Sequence, residues 1–198
     1  MQGFCTIANS CSVFYFLIKE VEKEVQLEEI SMSKVTALSL SIAVLGGLWA
    51  YLALGPLAGS VLVWAGFIAW GAFFHSGGDD AALQKTIAGM IYGAVLAGVA
   101  LHLVGANPLG LEGPVGPAVY IAVTVFFLVA VAGVNLLSCV PANVYGYAAT
   151  AAYALQTAGA GSVTATDLTN PVLLVSLSSV LGAVFGMVSG KVAGALGK

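Results

Sequence analysis

Between Lys34 and Lys191 the chain carries only five charged side chains, and they fall in three places: Asp79, Asp80 and Lys85, then Glu112, then Asp167. Everything between those places is apolar or small. A charge in hydrocarbon is costly, so such spacing marks out segments that can sit in a bilayer and turns that cannot. The composition agrees, with 60% of residues hydrophobic and 8% charged, against about 25% charged in an ordinary soluble domain. Six lysines with no arginine argue against a nucleic-acid binder, and three cysteines without usable spacing argue against a disulfide scaffold. A polytopic helical membrane protein remains, its expected surroundings the lipid bilayer.

The net charge of −3 belongs to the first stretch. Two lysines face five glutamates upstream of Met32, whereas four lysines balance four acids from Met32 onward. Residues 1–31 therefore read as a polar N-terminal extension and 32–198 as the membrane domain. Lys19 to Ile30 has the pattern of a weakly amphipathic helix, with Val21 and Val25 on one side. Two readings stay open: a surface or partner-binding arm, or a stretch lying upstream of the true start at Met32.

Six spans of about 20 residues fit the rest. They run from Val35 to Leu54, Leu57 to Phe74, Leu83 to Val104, Pro117 to Ser138, from Pro141 to before Gln156, and from Pro171 to Lys191. Asp79 and Asp80 are expected to start the third, because acids favour a helix N-terminus. Prolines at 141 and 171 suit first turns. With the first span beginning inside, Lys34, Lys85, Lys191 and Lys198 all fall on the cytoplasmic side, so both termini are expected there.

The body also reads as duplicated. Residues 65–72 (AGFIAWGA) align without gaps to 142–149 (ANVYGYAA), and Tyr92-Gly93-Ala94-Val95 matches Leu181-Gly182-Ala183-Val184. Three spans per half is an odd number, so the expected all-α bundle is two inverted three-helix repeats.

Gly46-Gly47-Leu48-Trp49, Trp64-Ala65-Gly66-Phe67, and Val140-Pro141 with the small and aromatic residues after it resemble the DUF1097 family of uncharacterised bacterial proteins. The resemblance covers about Val35 to Lys191. It implies a multi-pass location in the inner membrane and brings no activity or catalytic residue with it.

No acid falls inside an expected span, and the two lysines there, Lys85 and Lys191, lie at span ends, which argues against a proton relay and against intramembrane catalysis. His75 with Asp79 and Asp80 reads as a metal or proton site or, more simply, as a helix cap beside an interfacial histidine. His102 reads as an interface residue and Cys139 stands alone, so neither a metal site nor a cofactor is expected. Gly182, Gly186, Gly190 and Gly194 recur every fourth residue; such stripes let helices approach closely, within one chain or between copies in a homo-oligomer. The turns Gly55–Ser60 and Ser138–Pro141 are free of charge and occupy matching places in the two halves, where helix interruptions point to a transport site. The expected pathway residues are Asn135 and Ser138, three apart on one face of the fourth span, with Asn143, Tyr145 and Tyr147 just beyond and Trp64 and Trp70 on the second span. Hydrogen-bonding groups and aromatic surface without charge suit a small neutral or weakly polar solute. The leading reading is a channel or uncoupled transporter and not an enzyme; the alternative is an accessory membrane subunit of a larger complex.

Overall fold

The computed structural model describes Lys19 and residues 33–197. The expectations for residues 1–31 lie outside the described residues, Lys19 apart. Six α-helices follow one another among them: α1 (Lys34–Leu54), α2 (Val63–His75), α3 (Asp80–Ala106), α4 (Val115–Ala130), α5 (Val140–Gln156) and α6 (Pro171–Leu196). Two single 3-10 turns, Val131–Gly133 and Asn135–Leu137, link α4 to α5. The described residues form no strand, only an isolated bridge between Ala58 and Val61. α1, α3, α6, and α4 with its first 3-10 turn are each long and apolar enough to cross a membrane, while α2 is apolar but shorter. Large apolar side chains stand exposed around the outside, among them Leu40, Val44 and Leu48 on α1 and Ile121, Phe126 and Phe127 on α4. That outer surface matches lipid, not water. The described residues are all-helical, and their long apolar helices are those of a membrane protein.

Helix starts follow the local chemistry. The Ser33 hydroxyl accepts from the Thr36 N–H at 3.1 Å, Asp79 Oδ1 from the Ala82 N–H at 2.7 Å, and Asn170 Oδ1 from the Val172 N–H at 2.8 Å. Each satisfies a donor that the first helical turn leaves free. Asp79 and Asp80 start α3 as the sequence leads one to expect, and Pro141 and Pro171 occupy first turns.

Three boundaries differ from expectation by five residues or more, the simplest being α6, which runs on to Leu196 beyond Lys191. α2 begins at Val63, not near Leu57, because Gly55 to Leu62 form a turn in which Gly59 takes the left-handed backbone (φ +80°). The fourth helix ends at Ala130 instead of Ser138. Val134 is extended (φ −85°, ψ 122°), and Gly133 before it favours the break. Asn135 and Ser138 are therefore not on a helix face; both are exposed in the linking turn, where the Ser138 hydroxyl donates to the Asn135 carbonyl at 2.7 Å.

Glycine sets the closest packing. α2 and α6 run side by side in the same direction, with Gly182 so near Gly66 that a methyl group would overlap the Gly66 carbonyl. α3 and α5 meet in the same way, Gly93 against the Asn143 carbonyl and Gly146 against the Met90 carbonyl. Without a hydrophobic drive between helices in lipid, such close approach supplies the dispersion energy of association. Gly186 faces Trp70 and Phe73, and Gly190 faces Phe74. The stripe Gly182, Gly186 and Gly190 is thus filled by α2 of the same chain, and a second copy would have to use another face. Trp49 is fully buried over Gly66, and rings of Trp49 and Trp70 lie 5.5 and 5.9 Å from Phe185.

At one end, Lys34 of α1, Asp79 and Asp80 of α3, and Lys191 of α6 line an open cleft of about 880 Å³. Lys191 Nζ lies 3.9 Å from Asp80 Oδ1 with both side chains largely exposed, an ion pair of little energetic weight.

Candidate functional site: the groove between α2 and α5

Both short helices begin where a distant side chain fixes the backbone. For α2, the Trp49 indole donates to the Val63 carbonyl at 2.9 Å, and the Leu62 N–H donates to the Ser178 hydroxyl at 2.9 Å. For α5, the Asn143 amide donates to the carbonyls of Leu128 at 3.2 Å and Leu137 at 3.1 Å, tying the broken end of α4 to the new helix. Cys139, at the N-terminus of α5, lies 3.0 Å from the hydroxyl of Ser76 at the end of α2. The head of α5 and the tail of α2 therefore sit at one level, and the two helices pass antiparallel.

Between them lies a groove of about 680 Å³. α2 lines it with Trp64, Phe67, Ile68, Gly71, Ala72 and His75, and α5 with Tyr145, Ala148, Ala149 and Ala152. These are positions three, four and seven apart, one continuous face of each helix. Aromatic and branched side chains make its walls, glycine and alanine its floor. Among the described residues, no acid, lysine or arginine lines it.

Of the seven residues expected on a pathway, Trp64 and Tyr145 line this groove. Trp70 is buried on the other side of α2, donating from its indole to the Ser189 hydroxyl at 3.0 Å. The Tyr147 hydroxyl shares a hydrogen bond with Thr124 of α4 at 3.0 Å. Asn143 is fully buried, and its Oδ1 has no partner among the described residues; a methyl at Gly89 would stand 2.6 Å from that oxygen, so the glycine makes room for it. Asn135 and Ser138 lie exposed in the turn. His75 lines the groove, whereas Asp79 and Asp80 line the cleft at the end of the bundle. His102 lines a smaller hollow of about 340 Å³ with Thr164 and Asn170.

Phe67, Ile68, Gly71, Ala148 and Ala152 belong to the groove and were not singled out by sequence. The signal was present in the alignment of the second and fifth spans. It sets Ile68 against Tyr145, Gly71 against Ala148, Ala72 against Ala149 and, carried on, His75 against Ala152, and all eight line the groove.

Comparison with known proteins bears on identity and not on chemistry. No curated protein and no solved structure matches the chain. The model of a family described as a protein of unknown function, DUF1097, matches residues 39–194. That match spans all six helices but for the first few and last few residues. The chain belongs to the DUF1097 family.

Proposed function

We propose that the chain is a six-span protein of the bacterial inner membrane, with both termini cytoplasmic, that lets a small neutral or weakly polar solute cross by way of the groove between α2 and α5, as a channel or uncoupled transporter and not as an enzyme. One observation carries the reading: the groove is a sizeable space built from corresponding faces of two short helices, with hydrogen-bonding groups and no charge. A pathway for an ion would need charge or a ring of carbonyls. A neutral solute needs neither.

The lengths support turns that dip below the membrane surface. A helix of 13 residues such as α2 rises about 20 Å and one of 17 such as α5 about 26 Å, against roughly 30 Å of hydrocarbon. The turns Gly55–Leu62 and Val131–Cys139 complete the crossing, and Val61 is buried in the first.

Two inverted halves find support in the packing. Exchanging α1 with α4, α2 with α5 and α3 with α6 turns each helix contact into another that is also made: α2 on α6 into α5 on α3, and α1 on α6 into α4 on α3. Gly182 on the Gly66 carbonyl corresponds to Gly93 on the Asn143 carbonyl, and Gly66 aligns with Asn143. The groove between α2 and α5 then lies on the pseudo-twofold axis, where transporters built from inverted repeats hold their substrates.

Solute flux into proteoliposomes tests the reading. Urea and glycerol, followed by light scattering, should enter faster than into protein-free vesicles, and Gly71→Trp or Ala148→Trp, which fill the groove, should abolish the gain. Flux equal to the protein-free rate for every neutral solute tried, or unchanged by both groove-filling variants, refutes it. Recovery of a stoichiometric membrane partner with no flux would favour the accessory-subunit reading.

A further inference from the structure

Among the described residues, the side-chain hydrogen bonds that tie helix to helix fall into two sets. In one, Trp49 of α1 donates to the Val63 carbonyl of α2, Ser41 of α1 to the Ser189 carbonyl of α6, and Trp70 of α2 to the Ser189 hydroxyl. In the other, Tyr92 of α3 donates to the Phe127 carbonyl of α4, Thr124 of α4 pairs with Tyr147 of α5, and Asn143 of α5 donates to the Leu128 carbonyl of α4. The sets outline two bodies, α1, α2 and α6 against α3, α4 and α5. The hydrogen bonds that cross between these bodies converge on one atom, the hydroxyl oxygen of Ser76 at the end of α2. Thr86 of α3 donates to it at 3.2 Å, and the Cys139 thiol at the head of α5 lies 3.0 Å away. The single Ser76 proton goes to the Ala72 carbonyl at 2.7 Å, so the thiol donates and both lone pairs of the oxygen are filled.

Other links between the bodies gather at the same end. The chain passes there from α2 to α3 through residues 76–79, in which Gly77 and Gly78 both take positive φ (+122° and +72°). The exposed Lys191–Asp80 pair borders the cleft that those glycines also line. At the opposite end the chain returns from α5 to α6 through the long loop of residues 157–170. Its hydrogen bonds close within the loop, Gly161 on Thr169 and Asn170 on Val163 and Ala165. Behind the groove, α3 packs on α6 by apolar and small side chains, as Val172 does on Gly98. Packing of that kind permits small sliding, while a short glycine turn absorbs rotation.

We infer that the two bodies are hinged at the Ser76 end and part at the other, so that α2 and α5 separate where α2 begins and α5 ends. The inference goes beyond the function proposed above and does not depend on it, because it rests on how the bodies are joined and not on what lies between them. Ser76 is the pin. It holds the tail of α2 to both α3 and α5, while α2 and α5 share no hydrogen bond at the far end among the described residues.

Distances between paired spin labels on the full chain in lipid nanodiscs test the hinge. Cys5→Ser, Cys11→Ser and Cys139→Ser clear the background, and the last keeps a hydroxyl to donate to Ser76. One pair, Trp64→Cys with Leu155→Cys, reports the far end; the other, His75→Cys with Val144→Cys, reports the Ser76 end. All four positions are exposed. The far pair should give a broad or double distance distribution and the near pair a single narrow one. Ser76→Ala should raise the share of parted conformers at the near end by about three- to tenfold, the worth of one net hydrogen bond. Ser76→Thr, which restores the hydroxyl, should return the narrow distribution. If Ser76→Ala cannot be purified, Thr86→Val removes one of the two crossing bonds and should widen the near pair in the same direction. The hinge is refuted if both pairs are equally narrow, if the near pair is as broad as the far one, or if loss of the hydroxyl leaves the near pair unchanged. The distances are read without solute, so the outcome stands apart from any measurement of flux.

Discussion

Asn143→Ala separates a side chain that holds the fold from one that touches a solute. The Asn143 amide serves two carbonyls at once, at 3.2 and 3.1 Å, in a position with no solvent exposure. One belongs to Leu128, in the last turn of α4, where carbonyls have no partner in their own helix. Removing the amide leaves both acceptors bare. A buried acceptor left unsatisfied costs about 1–3 kcal/mol, while side-chain hydrogen bonds between transmembrane helices average about 0.6 kcal/mol. Two bonds near the lower of these ranges come to roughly 1–3 kcal/mol. Losing Oδ1, which has no partner, gives some of that back, and alanine's helix propensity gives back about 0.5 kcal/mol more. The small cavity left behind works the other way. The net expectation is a loss of about 1–2 kcal/mol, while Asn135→Ala, in the exposed turn, should stay within about 0.5 kcal/mol of the parent. Equilibrium unfolding in mixed micelles of dodecyl sulfate and a mild detergent measures both. An Asn143→Ala protein as stable as the parent but unable to pass solute would refute the structural account and restore Asn143 to the pathway.

Glycine-to-alanine changes along α6 should grade with the space at each position. Gly182→Ala, which meets backbone that cannot rotate away, should cost about 2–3 kcal/mol, whereas Gly190→Ala, whose methyl would sit 3.6 Å from Phe74, should be neutral or gain up to about 1 kcal/mol of helix propensity. Gly186→Ala, at 3.0 Å from a ring that can shift, belongs between them, and equal costs at all three positions would show that α6 packs against something other than α2. In the loop before α6, the hydroxyl and N–H of Thr169 both donate to the Asp167 carboxylate and hold its pKa below the ordinary 3.8. A lowered folded pKa means that the loop contact is present above the ordinary value and lost as pH falls through the folded one. Carboxyl NMR shifts of Asp167 should therefore titrate below pH 3.8, and Thr169→Val should return the midpoint toward it.

The starts of α3, α5 and α6 were legible because their chemistry is local. Asp79, Pro141 and Pro171 each act within one turn of the helix they begin. The end of α4 was not. Val131 to Leu137 is an apolar run interrupted by one glycine and one asparagine, and nothing in it outweighs continuation of the helix. The partner that stabilises the break is Asn143, on the next helix. In the site, Trp64 and Tyr145 were legible as aromatic residues on aligned spans. Trp70 and Tyr147 were grouped with them by proximity in sequence, but each sits two residues beyond a groove residue, Ile68 or Tyr145. Two residues is about 200° around a helix, so they face away, into the packing with α6 and α4. The glycine stripe on α6 was ambiguous from sequence for a related reason: small residues say that something comes close, not what it is.

The closest contacts in the molecule cross between the two sequence halves. α2 finds its tightest neighbour in α6 and α5 finds its own in α3, each through a glycine set on a carbonyl. α1 and α4 follow the same exchange, packing mainly on α6 and α3. Since lipid offers no hydrophobic penalty for leaving a helix apart, stability must come from such close approach, and neither half alone contains it. The packed bodies are therefore α1, α2 and α6 on one side and α3, α4 and α5 on the other, joined where α3 lies against α6. Where α2 of one body passes α5 of the other, glycine and alanine replace interlocking side chains and a groove is left. At this crossing of α2 and α5 few atoms meet, so little dispersion energy is lost if the two helices part there. That is why the open space lies there and not at either glycine crossing, where separating the helices would give up the contacts that hold each body together.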